Sequence, residues 1–113
     1  MDARRDDAHR VIFWHRELPP LDADAVAEHT LEAASSRVHG AITHGDESWS
    51  RCHEDLMATV HARLLQELSR LGGDYAHVVH ESIDTRYDNS TDEGSLHGQF
   101  AYVLYRRGSG RTA

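Results

Sequence analysis

The chain has 113 residues, 39% of them apolar, with 19 acidic residues against 12 basic ones and a formal charge of −7. That length suits one domain that buries its core without a disulfide or a structural metal, and the modest apolar share suits a single core between two layers. A negative surface with no basic stripe repels duplex nucleic acid and anionic membranes, so neither is expected as a partner.

No stretch approaches the roughly 18 consecutive apolar residues of a membrane span. The opening residues include Arg4, Arg5, Asp6 and Asp7 and do not read as a secretory signal. One cysteine, Cys52, allows no intrachain disulfide, and a reducing cytoplasm is the expected compartment.

In chain order, residues 1–8 are charged and expected to be loose. Residues 9–16, HRVIFWHR, place four large apolar residues between polar ones and predict a strand ended by Pro19 and Pro20. Residues 25–34 carry two patterns. Many alanines behind Asp22 or Asp24 as N-cap favour a helix. Alternation of Ala27, His29, Leu31 and Ala33 against Glu28, Thr30 and Glu32 favours a strand. Both readings stay open.

Residues 46–71 predict the clearest element. Trp49, His53, Leu56, Met57, Val60, Leu64, Leu68 and Leu71 form one apolar stripe at helical period, with Cys52, Asp55 and Arg63 off it. Asp46 or Ser48 can cap the start, and Gly72–Gly73 supplies a left-handed stop. Residues 75–88 and 95–107 then predict two long strands joined by the polar turn NSTDEG. Pairing Asp88 with Ser95 sets Tyr87 against Leu96, Ile83 against Phe100 and Val79 against Leu104, three apolar cross-strand pairs. The other face is mostly polar, with Val78, Val103 and Tyr105 among hydrophilic residues. Residues 108–113 are expected to form a loose tail.

In this register Glu81 interrupts the apolar face. An unpartnered buried carboxylate is costly, so a partner is expected. Matching rise per residue along helix and strand brings His61 over Glu81, with Tyr102 opposite and His53 one layer further. One reading is a satisfied polar cluster. The other is a ligand pocket lined by Glu81, His61, His53 and Tyr102. Neither a nucleophile nor an oxyanion donor accompanies them, so no catalytic residue is assigned.

Ten histidines raise the question of a metal. Helical ligand pairs want a spacing of four, whereas His53 and His61 are eight apart. His39 and His44, with Asp46 nearby, are the best local pair and could hold a divalent transition metal, the one cofactor the sequence suggests.

The run LLQELSRLGGDYAHVV followed by GSLHGQFAYVLYRR resembles the YbjQ-like domains, which bear a heavy-metal-binding label. The match lies in Leu71, Gly72, Gly73 and Asp74, then Val78 and Val79, and more loosely Gly98 to Ala101. The resemblance spans about residues 54–107, and no ligand residues carry over. It implies a small α+β fold, ring-like homo-oligomers, a metal, and a strand at 25–34. The expected architecture is therefore α+β: a two-layer domain over residues 9–107, with an antiparallel sheet of strands 9–16, 75–88 and 95–107, 25–34 being a candidate fourth strand, and one long helix on one face. Two functions are carried forward: a non-catalytic, self-assembling or partner-binding module, and a metal- or small-ligand-binding protein using histidines.

Overall fold

A computed structural model describes residues 10–108. The loose segment expected at 1–8, and all of the tail expected at 108–113 except Gly108, lie outside them. The elements are β1 (Val11–Trp14), β2 (Asp24–Ala34), β3 (Val38–His39), α1 (Glu47–Leu71), β4 (Tyr75–Asp88) and β5 (Glu93–Arg106). The fold is α+β in two layers, with the sheet ordered β1-β4-β5-β2, β3 also pairing with β5, and α1 on one side. The sheet is mixed: β1 runs parallel to β4, and every other pairing is antiparallel. A parallel neighbour needs a long crossover, and β2, β3 and α1 provide it.

The helix forms as its sequence demands. Asp46 caps it, one carboxylate oxygen accepting from Trp49 N–H at 2.7 Å and the other from Thr43 N–H at 3.2 Å. Gly72 ends it at φ 73°, a left-handed conformation open to glycine. Gly73 follows in a crevice, where an added Cβ would lie 2.9 Å from Leu68 and 3.3 Å from the Tyr105 carbonyl.

Leu56, Val60, Leu64 and Leu68 are fully buried on the sheet side. Cys52 joins them at 2% exposure, a correction to its expected place off the stripe. The buried row runs in steps of four, a ridge inclined to the helix axis, and Trp49, Met57, Leu65 and Leu71 are left as partly buried flanks. The ridge meets Leu96, Phe100, Tyr102 and Leu104, the alternate residues of β5, together with Leu31, Ala76 and Val78.

The segment 25–34 is a strand, and its alternation is the reason. Ala27, His29, Leu31 and Ala33 pair with Leu104, Tyr102, Phe100 and Gly98 and share their helix-facing side. Pairing with β5 outweighs the local helix propensity, as tertiary context commonly does.

The register of the long hairpin departs from expectation in two ways. Asp88 pairs with Glu93, not Ser95, because the turn closes over only four residues. Asp88 shapes it, its carboxylate accepting from Ser90 N–H and Oγ while its carbonyl accepts from Asp92 N–H at 2.8 Å. A slip of two residues preserves each residue's face, so Glu81, Ile83 and Tyr87 stay on the helix side, opposite Phe100, Gly98 and Gly94.

The second departure is a β-bulge at Val79, between the pairs Val78–Tyr102 and His80–Ala101. A bulge shifts face parity by one. It lets Ala76 and Val78 point into the core although Ile83 does so from the opposite parity. Val79, expected on the apolar face, is thrown out to 48% exposure. Val78, expected among polar residues, is buried.

Gly98 faces the core, where an added Cβ would stand 2.6 Å from the Phe100 ring and 3.3 Å from Leu56. Both neighbours are fully buried and confined. Gly98→Ala is expected to lower unfolding free energy by about 1–3 kcal/mol through overpacking. Leu64→Ala is expected to lower it by about 2–5 kcal/mol through a cavity. Chemical denaturation measures both, and unchanged midpoints would contradict this packing.

Candidate functional site

Glu81 lies on the helix side of β4, 27% exposed in its side chain, and its carboxylate meets His15 Nε2 at 2.8 Å. The partner expected from α1 is supplied by the end of β1 instead. His15 follows Trp14 with φ 54°, its N–H donates to the Val78 carbonyl, and its own carbonyl lies 2.7 Å from His77 Nε2. The bulge at Val79 and the turn at His15 thus sit side by side.

Glu81, His61, His53 and Tyr102 are not drawn into one hydrogen-bonded cluster among the described residues. His61 is exposed on α1. His53 stacks on Trp49, with ring centroids 4.7 Å apart and planes 10° apart. Tyr102 packs beside His29 of β2 at 6.0 Å. The other histidine pair also divides. His39 lies 3.3 Å from the Asp92 carboxylate, and the His44 ring lies 4.5 Å from Trp49. Among the described residues, no group of three or more His, Cys, Asp or Glu side chains is placed to hold a metal.

Two other features stand out. The first is a half-open groove of about 330 Å³ between β2 and α1, lined by His29, Glu32, Arg63, Gln66, Glu67 and Tyr102. Its walls carry charges already in use: Arg63 donates to the Glu32 carbonyl, and Glu67 pairs with Arg70. That pairing holds the Glu67 carboxyl below its ordinary value. Tyr102 is only 3% exposed, and its hydroxyl makes no hydrogen bond within the described residues. Burial, then the charge of Glu67, push its phenol above the usual value, so it is a neutral donor. Sequence reasoning selected Tyr102 and missed His29, because the segment holding His29 reads equally well as helix.

The second feature is the outer edge of β4. β1 pairs only with residues 75–78, so residues 79–88 form an open sheet edge among the described residues. On the helix side this edge carries Glu81, Ile83, Thr85 and Tyr87, and on the helix-free side Ser82, Asp84 and Arg86. Tyr87 is 47% exposed. The helix-free face is polar toward the hairpin tip. Toward β1 it becomes aromatic, with Phe13 edge-on to Tyr75 at 5.8 Å.

No family model matches this chain, and comparisons with curated proteins and with solved structures give no match. Among the described residues, no helix is long and apolar enough to cross a membrane.

One contact between α1 and the chain after β2 has a definite pH signature. Asp55 of α1 accepts the backbone N–H of Ser36, which follows β2, and that bond holds its carboxyl below the ordinary value. A depressed carboxyl stabilises the fold above its unfolded value of about 3.9 and loses that contribution as pH falls through the lower folded value. Asp55→Asn is expected to lower the melting temperature at pH 7 and to narrow the gap to wild type below pH 3. A constant gap across that range would show that the charge is not what matters.

Proposed function

We propose that this chain is a non-catalytic module that works by self-assembly, with the open edge of β4 as its principal contact surface. The observation that carries the reading is the four-residue length of β1, which leaves residues 79–88 without an outer strand among the described residues. Unpaired backbone donors and acceptors along a strand readily pair with another strand. Natural edges are protected by short length, proline, bulges, charged side chains or cover. Between His80 and Asp88 this one has neither proline nor bulge, and its charges, Glu81, Asp84, Arg86 and Asp88, are of both signs. The opposite edge is better protected, since β2 bulges at Val26 and Arg63 occupies the Glu32 carbonyl. The resemblance to YbjQ-like domains points toward homo-oligomers as well. A charge of −7 disfavours nucleic acid as the partner. Sedimentation velocity over a broad concentration range should give a mass above the 12.7 kDa of one chain. A clean monomer throughout would overturn the reading.

A second reading is favoured by the Tyr102 hydroxyl. Tyr102 is almost wholly buried, yet its side chain reaches a groove that also holds a histidine, a guanidinium and the Glu67 carboxylate. That set suits a small zwitterion such as a free amino acid, whose carboxylate would accept from Tyr102 and whose ammonium would face Glu67. Titration with a panel of free amino acids, followed by NMR of the His29 ring, should give saturable shifts that Tyr102→Phe weakens by about tenfold, a loss of roughly one hydrogen bond to a charged group. No shift at millimolar concentration would remove this reading.

A further inference from the structure

The open edge of β4 carries a sequence complementary to itself, and we infer that its partner is the same edge of a second copy, paired antiparallel about a twofold axis through Thr85. The inference rests on the self-assembly reading and adds the partner and the register. Edge-to-edge antiparallel pairing about a twofold axis keeps both helices on the same side of a continuous sheet. Residues on the two faces of a strand alternate, so the axis must pass through a residue, and a limited set of registers is open.

The register centred on Thr85 places Ile83 opposite Tyr87 of the partner subunit and Thr85 opposite Thr85 of the partner subunit on the helix side. On the helix-free side it places Asp84 opposite Arg86 of the partner subunit. Each unlike pair occurs twice by symmetry. Two apolar pairs, one threonine pair and two opposite-charge pairs are all favourable cross-strand combinations. The neighbouring even registers are disfavoured. A centre at Asp84 sets two aspartates against each other, and a centre at Arg86 sets two arginines against each other. A centre at Ile83 puts Arg86 against His80, and a centre at Tyr87 carries Asp84 past the strand end into the turn.

The exposure of these side chains is consistent with an uncovered contact. Tyr87 is 47% exposed, although it lies on the side where the core sits, and Ile83 is only partly buried. Within the chain, Asp84 and Arg86 stand opposite His97 and Ser95, and no ion pair among the described residues involves either. A partner's opposite charge would therefore not compete with an existing one.

Cys52 is 2% exposed, so a thiol introduced at position 85 is the reactive one. Full-length Thr85→Cys treated with a short bis-maleimide, whose reach tolerates either hydrogen-bonding phase of the pair, is expected to give a covalent dimer. Asp84→Arg should weaken association about tenfold or more, since two attractions become two repulsions. Asp84→Arg combined with Arg86→Asp should restore it. A wild-type chain that associates while Asp84→Arg and the double exchange associate equally tightly, with no cross-link at position 85, would overturn this register and leave self-assembly standing. A monomeric wild type would overturn both.

Discussion

Everything in this fold depends on one contact: the inclined ridge of Leu56, Val60, Leu64 and Leu68 lying on the alternate side chains of β5. Burying a side chain of this kind is worth roughly 1.5–3 kcal/mol, and this row sits at the centre of the molecule. The helix is anchored over β5 by it, with β2 on one side. The far part of β4 lies beyond its reach. A single helix about 10 Å wide cannot cover a sheet of several strands spaced about 4.8 Å apart. The uncovered part of β4 is a geometric consequence of that mismatch.

The bulge at Val79 belongs to the same constraint. The β4 sequence places small and apolar residues at 76 and 78 and then resumes apolar character at 83, a change of parity. A regular strand would expose one set. The bulge buries the first set and keeps Ile83 on the helix side, at the expense of Val79. It also marks where β1 stops pairing. Up to Val78 the outer side of β4 is occupied; beyond it lies His15, bonded to Glu81, and then, among the described residues, an open edge. Glu81 thus stands at the border between the covered and uncovered parts of the strand, and its partner comes from the chain segment that ends there.

Much of this was visible in the sequence because the patterns were local. The helix from 46 to 71, its aspartate cap and its glycine stop depend on residues within one or two turns of each other. The long strands were equally legible from their composition. Less visible was the turn, where Asp88 and Ser90 close a loop two residues tighter than the polar run suggests. The groove at Tyr102 was half visible: the tyrosine lay on a recognisable strand, whereas His29 sat in a segment whose alanines spoke for helix and whose alternation spoke for strand.

The amino-acid sequence by itself determined the long helix, its amphipathic character, the hairpin and the inward side of β5, because periodicity and capping are properties of neighbouring residues. Only the tertiary structure decided that residues 24–34 are a strand, that β1 lies parallel to β4 for four residues, that β4 bulges at Val79, and that Glu81 meets His15. Each of these depends on which strand a segment pairs with, and pairing joins residues as many as 82 positions apart, as with Asp24 and Arg106. A segment's own pattern can suggest a strand but does not say which distant segment it will pair with.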